Sequence, residues 1–199
     1  MRIAIIGWGS LLWDLENLTP HVKGGWGYGE GPKLPLEFSR ISPKRKLSLV
    51  VIIDPNHGAP CPTSFIESTR SDLDEAINDL AARERAPLER IGHAHIETDR
   101  LNSSNPPLDN ILLNWLHESH FDACVWTDLP ANFHLETGDE FSISAGLEYL
   151  KTLQGESLKE AKLYIDSAPK ETVTPLRTAL DSDAWWQSLP SAGSDTDAS

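Results

Sequence analysis

Apolar residues fall in short continuous runs through the first half of the chain and at helical spacing through much of the second. Ile3-Ala4-Ile5-Ile6 predicts a first strand, which breaks at Gly7-Trp8-Gly9-Ser10. Residues 34–41 and 46–54 flank Ser42-Pro43-Lys44-Arg45 and predict a hairpin, with turn chemistry between two β-rich runs. Positions 49–53 are apolar without interruption, so this strand is expected to be buried on both faces. Residues 55–62 carry three prolines and a glycine and predict a loop, after which 63–69 resume a strand.

Ser71-Asp72 opens a helix whose first turn holds Asp74 and Glu75, where the macrodipole favours acids. Leu73, Ile77 and Leu80 recur along one face of it, and Pro87 closes it. Residues 91–97 predict a strand, 102–107 a loop, 108–119 an amphipathic helix and 123–126 a short buried strand. Three helical segments follow, at 147–153, 158–165 and 176–186. Trp185 and Trp186 are adjacent and cannot both face inward on a helix, so one is expected to dock and the other to stay outside. Residues 191–199 are small, polar and acidic and predict disorder.

Strands first, a mixed middle and helices last point to an α+β fold with a strongly curved antiparallel sheet or small barrel. One globular domain over 1–190 is expected, with a β-rich core over about 1–145 and extra C-terminal helices over about 146–190. The 199 residues suffice for a sizeable core. No apolar run approaches the roughly 18 residues of a membrane span. Only Cys61 and Cys124 occur, and no secretion signal opens the chain, so a cytoplasmic home without disulfides is expected. A formal charge of −13 argues against a partner bound through its phosphate backbone, such as nucleic acid.

Chemistry concentrates at two places. The glycines of Gly7-Trp8-Gly9-Ser10 allow a sharp turn with exposed amide N–H groups, suited to an anion or a polarised carbonyl, unless the turn is only structural. A dinucleotide fingerprint is absent, because Leu12 stands where a third glycine belongs, and neither a P-loop nor a Gly-x-Ser-x-Gly elbow is present. Glu84 lies four residues after Leu80, at the helix end where the dipole disfavours an acid. That placement suits a partly buried general base; its competing use is an ion pair with Arg83, Arg85 or Arg90. His93 with His95, and His117 with His120, each share a face and raise a metal-dependent hydrolase as an alternative, but neither pair has a third ligand at a recognised spacing. Trp8, Trp13, Trp26 and Tyr28 can wall a pocket or fill a core.

A strand delivering Trp8-Gly9-Ser10-Leu11-Leu12 resembles the aromatic-Gly-Ser-x-Leu signature of γ-glutamylcyclotransferase-like proteins. Strand 63–69, followed by a helix ending Leu80-Ala81-Ala82-Arg83-Glu84, is similar to the family's later elements, and the order of elements agrees over roughly 1–130. The resemblance implies a small β-barrel with surrounding helices and no metal or cofactor. It assigns Glu84 as the catalytic acid/base and Gly7, Trp8, Gly9, Ser10 and Leu11 as the substrate cradle. Arg40 adds a basic residue on the strand Leu36-Glu37-Phe38-Ser39-Arg40. The substrate would be a small γ-glutamyl amine or peptide, closing on itself to 5-oxoproline with release of the amine. The family usually has Tyr in the turn, and Trp8 offers no hydroxyl. A non-catalytic binding module on the same scaffold is the alternative from another class.

Overall fold

A computed structural model describes residues 1–98 and 100–190. The chain divides into two compact units, residues 1–34 with 61–129, and 35–60 with 130–199, where the sequence pattern suggests one domain. Pro35, Pro60 and Pro130 stand at the three crossings between them.

The first unit is built on a six-stranded mixed sheet. Its strands are β1 (Ile3–Gly7), β2 (Val22–Gly27), β6 (Ser64–Ser68), β7 (Ile91–His95), β8 (Leu101–Asn102) and β9 (Ala123–Thr127). Their order across the sheet is β2-β6-β1-β9-β7-β8. The continuously apolar β1 is central, antiparallel to β6 and parallel to β9. Helix α1 (Leu73–Glu84) packs on one face, burying Ile77, Leu80 and Ala81 against Ile3, Ile5, Ile66 and Val125. On the other face Trp115 of α2 (Asp109–Glu118) meets Phe65 and Phe121 at ring-centroid distances of 5.6 and 6.0 Å. A central strand covered on both faces needs apolar residues at successive positions, which is why β1 and β9 do not alternate.

The second unit holds the expected hairpin, β3 (Lys33–Ser42) and β4 (Ser48–Ile53), closed by a 3-10 turn over Pro43–Arg45. All six residues of β4 are buried. Helices α3 (Phe133–Thr137), α4 (Ile143–Thr152), α5 (Gly155–Ser167), α6 (Pro175–Ser182) and α7 (Ala184–Ser188) follow, with α4 and α5 packed on β4. Ser142, Thr174 and Asp183 cap α4, α6 and α7 by accepting from Ala145, Arg177 and Trp186 amides. Trp186 is buried under the Lys162 ammonium while Trp185 stays partly exposed, as their adjacency requires.

The α+β class holds, but the described strands form two open sheets and no closed barrel. Within the stretch expected to be loop, Ala59–Pro62 forms β5, beside β3. Leu101–Asn102 pairs with β7, its second residue opening the stretch 102–107 expected to be loop. β2 is unexpected, since Gly24, Gly25 and Gly27 dilute its pattern; its ladder to β6 is made by the backbone and shifts register between Lys23 and Gly27. Among the described residues five helices replace the three expected after residue 130. The expected disorder at 191–199 lies outside the described residues. No described helix is long and apolar enough to cross a membrane. The basic residues of the hairpin turn are engaged locally, with Arg45 3.4 Å from Glu160 and Lys46 3.1 Å from Glu156.

Candidate active site

Strand β1 ends at Gly7, and Trp8 is still extended when the chain coils into a 3-10 turn over Gly9–Leu12. Gly9 takes φ +62°, a left-handed value that a side chain would resist. Gly7 is required for a different reason: a Cβ there would fall 2.7 Å from the Trp26 ring, which lies across it. The first two amides of a 3-10 turn, here those of Gly9 and Ser10, have no carbonyl of the turn to bond. Ser10 closes the turn by accepting from the Trp13 and Asp14 amides at 3.3 and 2.9 Å. Trp8 and Leu11 are buried and Ser10 is partly exposed. Of the other aromatic candidates, Trp13 and Tyr28 are exposed.

Glu84 is the last residue of α1, which ends because Arg85 turns left-handed and its amide bonds back to the helix. Its spacing from Leu80 puts Glu84 on the apolar face, where its side chain is 16% exposed; its neighbour Arg83 is buried further, at 1%. Position 83 follows Leu80 by three residues and shares its face, and the Arg83 guanidinium finds a partner there. It donates from Nε and Nη2 to the Asp14 carbonyl at 3.1 and 2.5 Å, and from Nη1 to Glu84 Oε1 at 3.1 Å. Arg85 reaches Glu16 at 3.3 Å. The end of α1 thus grips the segment that leaves the glycine turn, and the Glu84 carboxylate sits one guanidinium away from the Asp14 carbonyl. Of the three arginines named from the sequence, Arg83 is the ion-pair partner, and the pair is inside rather than on the surface.

Arg40 belongs to the second unit, where its Nη1 donates to the Pro130 carbonyl at 2.5 Å. The histidine pairs do not converge. His93 and His95 sit on β7 opposite Val125 and Ala123, on the α1 side of the sheet, whereas His117 and His120 are exposed beside α2 on the other side. His95 accepts the Glu97 amide at Nδ1, and burial holds the His93 imidazole below its usual range. Among the described residues no three His, Cys, Asp or Glu side chains converge to hold a metal. Cys61 and Cys124 are buried free thiols.

One polar cluster carries no clear sequence signal. In the second unit Asp54 accepts from Ser39 Oγ at 2.6 Å and faces His57 Nδ1 at 3.2 and 3.3 Å. In sequence, Asp54-Pro55-Asn56-His57 reads as loop alone; the one hint is an Asp positioned to bond amides two and three residues on, as it does at 3.0 and 3.1 Å.

In comparisons with known proteins, no family model, no curated protein and no solved structure matches this chain.

Proposed function

We propose that this chain is a γ-glutamylcyclotransferase-like enzyme that cyclises a small γ-glutamyl amine or peptide to 5-oxoproline. The observation that carries the proposal is the Arg83 link, which ties the Glu84 carboxylate to the segment leaving the Gly9–Leu12 turn within one compact unit. Cyclisation needs a cradle of amide donors and one carboxylate that moves a proton; in this reading the glycine turn offers the donors and Glu84 the carboxylate. The substrate's α-amine attacks its own γ-carbonyl, a C–N bond forms, and the γ-amide C–N bond breaks to release the amine. Glu84 takes a proton from the attacking nitrogen and returns it to the departing one. The Gly9 and Ser10 amides steady the carboxylate or the developing oxyanion. Because the reaction is intramolecular, folding the substrate correctly supplies much of the acceleration.

Incubation with a panel of γ-glutamyl amines and dipeptides, followed by assay of 5-oxoproline, tests this. Glu84→Gln, folded by circular dichroism, is expected to lose about 10²- to 10⁴-fold in turnover. Full turnover in that variant would remove Glu84 from the reaction. The Arg83–Glu84 pair also favours a second reading, in which the carboxylate is structural and the cradle only binds. That reading gives ligand affinity unchanged by Glu84→Gln, and no product.

A further inference from the structure

Within the second unit a cavity of about 210 Å³ opens beside Asp54 and His57. Its walls include Phe133, His134, Glu140 and Phe141. Most of the polar groups around it are already committed. Asn132 spends its amide on the Ile41 backbone, accepting from N–H at 2.8 Å and donating to the carbonyl at 3.0 Å. Asp54, 3% exposed, receives Ser39 Oγ and the Asn56 and His57 amides, with the His57 ring completing the set. A carboxylate facing Nδ1 keeps the imidazole proton there and leaves Nε2 as an acceptor. Among the described residues nothing takes that Nε2, and the ring, 39% exposed, stands edge-on to Phe141 at 5.2 Å.

The fixed charges around this open acceptor are carboxylates. The lining holds Asp54 and Glu140, two histidines, and neither Lys nor Arg, and the exposed Glu140 faces His134 Nδ1 at 3.2 Å. Phe133 and Phe141 meet edge to face at 5.3 Å, a surface that suits a short alkyl chain or the underside of a cation. The volume is below the roughly 300–1,000 Å³ of sites for drug-sized ligands, which points to a ligand of few heavy atoms. An anion would meet neither Lys nor Arg here, and a neutral alcohol would bring no positive charge to Asp54 and Glu140.

We propose that this cavity binds a small primary alkylammonium, its N–H donated to His57 Nε2, its charge beside Asp54 and Glu140, and its alkyl chain on Phe133 and Phe141. Asp54 is a positioning residue that sets the His57 tautomer. The site stands apart from the cyclisation reading, since it uses none of the residues invoked there.

The test is a titration of the full chain with n-butylammonium chloride at constant ionic strength, followed by histidine-ring nitrogen and aromatic proton NMR. The matched neutral probe is 1-butanol. Saturable shifts at His57 Nε2 and at the Phe133 and Phe141 rings are expected, with at least tenfold weaker binding of 1-butanol. His57→Leu should weaken n-butylammonium at least tenfold. Shifts that never saturate, equal affinity for the alcohol, or binding unchanged in a folded His57→Leu would each overturn the proposal. The comparison of the two probes on the unmodified protein decides it even where a variant fails to fold.

Discussion

Arg83 holds the backbone carbonyl of Asp14 with two nitrogens, Nε at 3.1 Å and Nη2 at 2.5 Å, from a side chain only 1% exposed. The contact joins residues 69 apart in sequence and fixes the exit of the glycine turn to the end of α1. The same guanidinium holds Glu84, so a stability role and a positioning role converge on one side chain.

Arg83→Met keeps most of the buried volume but strands the Asp14 carbonyl and the Glu84 carboxylate. Breaking a buried, hydrogen-bonded charged contact of this kind costs about 3 kcal/mol. A urea unfolding midpoint should fall accordingly, with the slope of the transition unchanged. A shift within error would mean that water replaces the guanidinium without loss.

Two glycines should answer alanine oppositely. Gly92 on β7 lies opposite Trp126 on β9, and a Cβ there would fall 2.1 Å from the buried indole. Gly92→Ala is expected to cost about 1–3 kcal/mol through overpacking. Gly25→Ala meets nothing within 4 Å and should stay within about 0.5 kcal/mol of the parent. Paired thermal melts of the two variants check the contrast.

Glu37 is fully buried, and burial pushes its carboxyl above the usual 4.5, partly offset by donors from Thr174, Phe38 and Leu176. An acid whose folded value is raised binds its proton more tightly in the native state, so its contribution to stability falls as pH rises. Relative to Glu37→Gln, which cannot ionise, the wild type should lose stability as pH climbs from 4.5 through the raised folded value. Urea midpoints at several pH values measure the difference, and a slope of opposite sign would refute the assignment.

Glu67 shifts the other way. The Arg2 guanidinium, at 2.9–3.0 Å, with Lys23 at 3.2 Å, lowers its carboxyl to about 2. The stabilisation from this depressed group is present above 4.5 and lost as pH falls toward 2. In a carboxyl-carbon NMR titration, Arg2→Met should return Glu67 toward 4.5, and by more than Lys23→Met, because the Arg2 hydrogen bond is the larger cause.

The local patterns were legible because each reports burial along a single element. Uninterrupted apolar runs marked β1, β4 and β9, strands covered on both faces. Turn chemistry at Ser42–Arg45 marked the hairpin, and Asp72 marked the start of α1, where it accepts the Glu75 amide. The trio Leu73, Ile77 and Leu80 gave α1 its buried face. β2 escaped because its glycines carry no side-chain period.

What periodicity cannot carry is which distant elements meet. Ile3 pairs with Ala123, and no pattern within either strand encodes that register. The strand pairing left two open sheets where a barrel was expected, and the contacts divided the chain into two compact units with Arg40 in one and Glu84 in the other. The sequence by itself determined the strands β1, β3, β4, β6, β7 and β9, the glycine turn and the acid at the end of α1. Tertiary structure decided that Arg83 is buried beside Glu84 and pairs with it, because only there does a guanidinium find the Asp14 carbonyl. It also decided that Asp54 meets His57, because a loop's hydrogen bonds depend on how its chain folds back and not on the residue types alone.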